Sequence, residues 1–358
     1  MITNLLRDNI RNLKPYSSAR DEFEGNASVW LDANECPAAL PNLPEGINRY
    51  PASQLQGLKD EIAKVKGVKL SQVFIGNGSD EAVDLLMRCF CQPATDKILV
   101  FPPTYGMYGV CAAVNDVSVI ESILDNDFNI NIKDFEENNM QRPKLTFICN
   151  PNNPTANMQN AETVRQIIEK STGIVVVDEA YIDFCPDKSI ISWINKYPNL
   201  VVLQTLSKAW GLAAARVGLA FASPQIISVM NRVKFPYNVG KPSIDIALKA
   251  LQQDDEMIRR TKELIDNKNR LASELKSLQM VQKVYPSDAN FLLVKFDNAR
   301  QAYSKLASNG IVVRDRSTQP GCEGCLRITV GTREEVETLL NCLKDLNADD
   351  ADFTDNRG

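Results

Sequence analysis

Ile174-Val-Val-Val177-Asp178-Glu179-Ala180-Tyr181 and Leu200-Val-Val-Leu-Gln204-Thr205-Leu206-Ser207-Lys208 are short apolar runs, each nearly free of polar residues until its end. A run without polar alternation suits a strand buried on both faces, as in a parallel sheet covered by helices. Working outward, Gln72 to Ile75, Lys97 to Phe101 and Lys144 to Cys149 read the same way. Amphipathic stretches separate them: after Gly76-Asn77-Gly78, the side chains of Val83, Leu86, Met87 and Phe90 share one helical face. The alternation predicts an α/β domain with a mostly parallel sheet between helical layers. From about residue 240 the pattern changes. A long helical stretch from about Ser243 to Leu278 precedes strand candidates at Asn290 to Val294, Ile311 to Val313 and Cys325 to Val330. A last helix follows, with Thr332 and Glu335 at capping-box spacing and Val336, Leu339, Leu340 and Leu343 as its apolar stripe. This predicts a smaller α+β domain, and the aspartate-rich stretch 347–358 predicts a frayed tail.

Composition removes several chemistries. The 358 residues include 40 basic and 45 acidic side chains and no histidine, so histidine triads, histidine bases and zincin-type metal sites are excluded. A net charge of −5 without a concentrated basic face argues against nucleic acid as a partner. Arg7, Asp8, Arg11 and Lys14 interrupt the N-terminal stretch, which therefore carries neither a signal-peptide core nor a spanning segment. The expectation is a cytoplasmic protein with no membrane partner. Nine scattered cysteines read as reduced thiols, and Cys322-Glu-Gly-Cys325 lacks the further ligands of a zinc site, so no metal is expected.

Five features fall at strand ends, where open α/β sheets place ligands. Gly76-Asn77-Gly78-Ser79-Asp80 is a strand-to-helix turn that could take an anion, although by itself it reads first as an ordinary helix start capped by Ser79. Asn150-Pro-Asn-Asn153-Pro-Thr155 reads as a rigid turn carrying amides. Asp178 is an acid delivered by an apolar run, and Lys208, just past another, is placed for desolvation, with Arg216 eight residues on. Arg327 lies inside the β-rich run Leu326-Arg327-Ile-Thr-Val-Gly331 and calls for an anionic partner, from a ligand or from within the protein.

The order of these features, with Lys14-Pro-Tyr16-Ser-Ser-Ala-Arg20, Leu31-Asp-Ala-Asn34-Glu35, Arg49-Tyr50-Pro51, Pro102-Pro-Thr-Tyr105-Gly-Met-Tyr108, Ala180-Tyr181-Ile-Asp-Phe-Cys-Pro186 and Cys325-Leu-Arg327-Ile-Thr-Val-Gly-Thr332, resembles the fold type I pyridoxal-phosphate aminotransferases. Within them, the resemblance is to the histidinol-phosphate aminotransferase group, from about Asn9 to Leu346. It implies a large domain (46–240) with a mostly parallel seven-stranded sheet in an α/β/α sandwich. It also implies an N-terminal arm (1–45) packed with the small domain, a small domain over 241–346 and a tail over 347–358.

By the same resemblance the cofactor is pyridoxal 5'-phosphate. Lys208 would be its Schiff-base lysine and proton shuttle, Asp178 the partner of its ring nitrogen, and Tyr181 and Asn153 the partners of its phenolate oxygen. Tyr105 would stack on the ring. Ser79, Asp80, Ser207 and Arg216, with Thr205, would hold the phosphate, and Tyr50 would reach the phosphate of the partner subunit in a homodimer. Arg327 would hold the substrate anion, with Tyr16, Asn34 and Arg314 lining the substrate pocket. The implied reaction is L-histidinol phosphate plus 2-oxoglutarate giving imidazole acetol phosphate plus L-glutamate. The alternatives are another fold type I enzyme, such as an aromatic or broad-range aminotransferase or a phospho-amino-acid decarboxylase, and a non-catalytic sensor of the same fold. One departure stands out: Ala156 follows Asn-Pro-Thr where the family usually has glycine, at about 1 kcal/mol if φ is positive there.

Overall fold

The computed structural model describes residues 2–14, 16, 20 and 27–355, with side chains for all of these except 52–54 and 347–355. Pro15, Ser17, Ser18 and Ala19 of the early motif, and the last three residues of the tail, lie outside the described residues. In chain order the helices are α1 (Asp8–Arg11), α2 (Ala52–Lys66), α3 (Ser79–Phe90), α4 (Met107–Val114), α5 (Ile132–Asn139), α6 (Ala161–Lys170), α7 (Pro224–Val233), α8 (Lys241–Leu251), α9 (Asp254–Lys276), α10 (Ala299–Ser308) and α11 (Arg333–Asp355). The strands are β1 (Val73–Asn77), β2 (Lys97–Val100), β3 (Ser118–Glu121), β4 (Leu145–Cys149), β5 (Ile174–Asp178), β6 (Leu200–Thr205), β7 (Val217–Ala222), β8 (Val281–Val284), β9 (Phe291–Phe296), β10 (Arg314–Asp315) and β11 (Cys325–Thr329).

Seven strands form one sheet in the order β1-β7-β6-β5-β4-β2-β3. All neighbours are parallel except β7, which runs antiparallel to both β1 and β6. The apolar runs behave as expected: β4, β5 and β6 are buried along their whole length. Alternate residues of these strands face two apolar cores. Val175 and Val177 join Leu58, Ile167 and Trp210 on one side, and Val176 joins Val83, Leu86 and Phe90 on the other. Two cores on opposite faces make the α/β/α sandwich. A second, antiparallel sheet, β10-β11-β9-β8, packs with α9, α10 and α11.

Four expectations need correction. The stretch 243–278 is not one helix, because α8 ends at Leu251 and α9 begins at Asp254. Ile311 to Val313 is not a strand; Val312 is 87% exposed, and pairing with β11 begins only at Arg314. The opening residues do not lie on the small domain: Leu6 and Ile10 join the core formed by α3 and α7, and Arg7 N donates to Cys89 O at 3.1 Å. The tail is not frayed from Asn347, because α11 runs to Asp355 through a stretch with no glycine or proline to stop it.

Candidate active site

The carboxyl ends of β4, β5 and β6 open on one cavity of about 580 Å3. Each strand ends by delivering a polar group there, which the apolar run behind it holds in place. Ser79, Asp80, Tyr105, Asn153, Asp178, Tyr181, Thr205, Ser207, Lys208, Arg216, Arg314 and Arg327 all line it. Tyr16, Asn34 and Tyr50 do not. Tyr16 is 73% exposed, and Tyr50 stacks on Tyr237 with ring centroids 4.6 Å apart.

Asp178 sits at the floor, 3% exposed. Tyr108 Oη donates to its Oδ2 at 2.7 Å and the Ala180 N–H to its Oδ1 at 3.1 Å. Burial pushes this carboxyl up to about 6, against the Tyr108 hydrogen bond. Glu179, next in the chain, is 1% exposed and points away from the cavity, where it accepts from Ser189 Oγ, the Ile190 N–H and Gln204 Nε2. Lys208 reaches into the cavity with Nζ 5.4 Å from the centre of the Tyr181 ring. Burial, and then Arg327, lower its pKa towards the free amine.

The phosphate-type turn is built at one close approach. A Cβ on Gly218 would lie 2.0 Å from Gly78 C and 2.1 Å from Ser79 N, so only glycine lets β7 support the start of α3. Gly78, at φ +77°, is the N-cap, and no side chain caps the helix. The reading of Ser79 as an ordinary cap is thereby replaced, and the first-turn N–H groups are left for an anion. Arg216 stands beside them in the left-handed conformation, φ +55°. Its Nη2 is 3.7 Å from Asp80 Oδ2, while Asp80 Oδ1 accepts from Tyr105 Oη at 3.1 Å. Ser207 N donates to Thr205 Oγ1 at 3.1 Å, which fixes the corner before Lys208.

The opposite wall comes from the small domain. Arg327 Nη1 donates to Asn153 Oδ1 at 2.6 Å, and Asn153 Nδ2 lies 3.5 Å from Tyr181 Oη. Arg314, Arg316 and Arg327 converge on the cavity, and among the described residues none of the three has a carboxylate within ion-pair distance. The Nε atoms of Arg316 and Arg327 are buried with no hydrogen-bond partner among the described residues. Arg316 and Gln319 were not singled out from the sequence. The period-two spacing of Arg314 and Arg316 is the signal that puts both on one face of a strand.

A family model described as aminotransferase class I and II matches residues 27–343. The chain belongs to the aminotransferase class I and II family. Other aminotransferases resemble it over nearly its whole length. The chain is 47% identical to a histidinol-phosphate aminotransferase of Parabacteroides distasonis, over 96% of this chain and 99% of that one. It is 45% identical to one of Cytophaga hutchinsonii, over 96% and 98%. Among solved aminotransferase structures, the histidinol-phosphate aminotransferase of Clostridium acetobutylicum superposes with TM-score 0.77 at 22% identity, covering 84% of this chain and 91% of that one. The Sinorhizobium meliloti enzyme, solved in complex with pyridoxal-5'-phosphate, gives 0.76 at 22% identity, covering 84% and 83%. These two establish the shared fold.

The cavity fits pyridoxal phosphate on its own geometry. It offers an uncapped helix start with an adjacent arginine for a phosphate, a buried acid with one open side for a ring nitrogen, and a desolvated lysine amine with no hydrogen-bond partner among the described residues.

Proposed function

We propose that this chain is a histidinol-phosphate aminotransferase that uses pyridoxal 5'-phosphate to interconvert L-histidinol phosphate plus 2-oxoglutarate with imidazole acetol phosphate plus L-glutamate. The observation that carries the reading is the 47% identity, across nearly the full length of both chains, to a relative of that name. The cavity supports it by joining one lysine and one buried acid to a wall of three arginines that, among the described residues, have no carboxylate partner.

Ser79 and Asp80 through backbone N–H groups, Ser207 and Arg216 would hold the cofactor's phosphate, with Thr205 bracing Ser207. Asp178 would hold its ring nitrogen, Tyr181 and Asn153 its phenolate oxygen, and Lys208 its reactive carbon. Tyr105 would flank the ring. When bound, the cofactor supplies an aldehyde that accepts the amino group and a ring that takes up the electron pair left at the substrate's Cα. Lys208 Nζ, pushed by burial and Arg327 towards the free amine, is the base that takes the Cα proton and later returns it. Asp178, ionised, keeps the ring nitrogen protonated. Arg327, with Arg314 beside it, grips the substrate's anion; a guanidinium fork suits both a carboxylate and a phosphate, so one wall serves both substrates in turn. Tyr16 and Asn34, outside the described cavity, are proposed to close over the substrate.

We further propose a cytoplasmic homodimer. Tyr50 lies outside its own cavity and is 48% exposed, with Val29 and Leu31 more exposed still, and it would reach the phosphate site of the second copy. Among the described residues no helix is long and apolar enough to cross a membrane.

The test is a half-reaction. Protein loaded with pyridoxal phosphate, given L-histidinol phosphate without 2-oxoglutarate, should lose its visible absorption band and release imidazole acetol phosphate, close to one equivalent per site. A response to phenylalanine with none to histidinol phosphate would overturn the substrate and leave the family standing.

A further inference from the structure

We infer that Tyr108 is a positioning residue for the proposed chemistry: its hydroxyl, fixed by ring stacking, donates the hydrogen bond that keeps Asp178 an aimed, ionised carboxylate. The inference rests on the reading of Asp178 given under Proposed function.

Tyr108 ends the Tyr105-Gly-Met-Tyr108 string as the second residue of α4 and is completely buried. Its ring stacks on Phe147 of β4, with centroids 4.7 Å apart and planes 18° apart. It also meets Tyr105 edge-on at 5.5 Å. Two aromatic contacts leave the ring no other orientation, so the hydroxyl points at Asp178 Oδ2 from 2.7 Å. The other carboxylate oxygen is held by the Ala180 N–H. Each oxygen therefore has one protein donor, and the carboxylate plane is fixed before any ligand arrives.

Chemistry makes this hydrogen bond more than packing. A ring nitrogen that must stay protonated needs an ionised partner; a neutral acid there would offer only a weak hydrogen bond. Burial works against that ionisation, and Asp80 on α3 adds a like charge. Opposing them are the Tyr108 hydroxyl, the Ala180 N–H and the Lys208 ammonium. Lys208 is itself pushed towards the neutral amine, which leaves the two hydrogen bonds as the lasting support. Cys149, whose thiol donates to Pro151 O and also meets the Tyr108 hydroxyl, is raised by burial and stays neutral. Tyr108 is raised well above the ordinary phenol range, so it remains a donor and never a competing anion.

Tyr108→Phe keeps the ring and its stacking and removes only the donor. The experiment measures equilibrium binding of pyridoxal 5'-phosphate to apoprotein from pH 5 to 9, for wild type, Tyr108→Phe, Asp178→Asn and the double variant. Melting temperatures establish that each is folded. The expected result is binding weaker by about twofold at pH 7 in Tyr108→Phe, a loss that widens to about tenfold at pH 5 and vanishes in alkali, because its acid-side decline lies about one pH unit above that of wild type. The ligand's own titrations are common to all four proteins and drop out of the comparison. The double variant should bind no more weakly than Asp178→Asn, because Tyr108 acts through Asp178. A loss equal at every pH, unchanged affinity, or additive losses in the double variant would overturn the inference. If Asp178→Asn binds as tightly as wild type, the reading of Asp178 falls and takes this inference with it; an Asp178-dependent site with parallel pH curves removes the inference alone.

Discussion

The two walls of the cavity are built on opposite principles. On the large-sheet side the buried acids are satisfied from within: Asp178 has two donors, and Glu179, behind it and turned away from the cavity, has three. On the small-domain side three arginines face the same space, and two of them keep a buried Nε with no partner among the described residues. A buried donor left without an acceptor is costly, so these two Nε–H groups mark a surface whose partner arrives with the ligand. The wall that would hold a permanent cofactor is organised in advance, whereas the wall that meets exchanging substrates is left electrostatically open.

The largest effect should come from the group standing between the walls. Lys208→Ala should reduce steady-state turnover by about 1,000-fold or more, with the fold intact by circular dichroism. Residual turnover within tenfold of wild type would remove the lysine from the mechanism. Next, Arg327→Gln should lower kcat/KM for histidinol phosphate about 100-fold, close to 3 kcal/mol, while changing pyridoxal-phosphate affinity less than about threefold. Equal losses in both would erase the distinction between the walls.

The pH dependence of the apoprotein probes the organised wall alone. Burial raises Asp178 from 3.8 to about 6, so the folded state holds its proton more tightly than the unfolded chain. The resulting stability is fully present below about pH 4 and is lost as pH rises through about 6, an amount of about 3 kcal/mol. Asp178→Asn should remove that share of the fall in melting temperature between pH 4 and 6.5. The slope from Glu179, raised by burial to about 7, should remain. An unchanged slope would mean that Asp178 is not desolvated as the fold implies.

The smallest effect concerns the turn between the walls. Ala156 has φ +68° and is fully buried, with its N–H donating to Asn152 O at 2.7 Å. The strain anticipated at this position is therefore present. Ala156→Gly should stabilise the protein by about 0.5 kcal/mol, the relief of left-handed strain less the greater freedom of unfolded glycine. Destabilisation in a melting experiment would show that the methyl group's packing outweighs the strain.

Legibility followed the same divide. The central strands were readable because burial on both faces leaves an uninterrupted apolar run, and the polar residues that end those runs were readable as site candidates. The edge strand Ser118–Glu121 escaped because only Ile120 of its four residues is buried. β8 escaped for a similar reason, being partly exposed and carrying Gln282 and Lys283. Arg316 was hidden by the misplaced strand at Ile311 to Val313. Tyr108 was hidden by its spacing, since a tyrosine on an apolar helical face reads as core, and only the 2.7 Å contact with Asp178 separates it from one. Tyr16, Asn34 and Tyr50 came from the resemblance alone, and the cavity of a single chain gives them no place.

The most direct test of the contrast between the walls leaves the protein untouched and removes the anion from the substrate. Single-turnover rates of the loaded enzyme should be compared for L-histidinol phosphate and L-histidinol, which differ only in the phosphate. The account predicts kcat/KM lower by about 1,000-fold for L-histidinol, with the absorption of the resting enzyme the same in both experiments. Rates within tenfold of each other would contradict it, because the arginines would then be holding nothing that matters to the reaction.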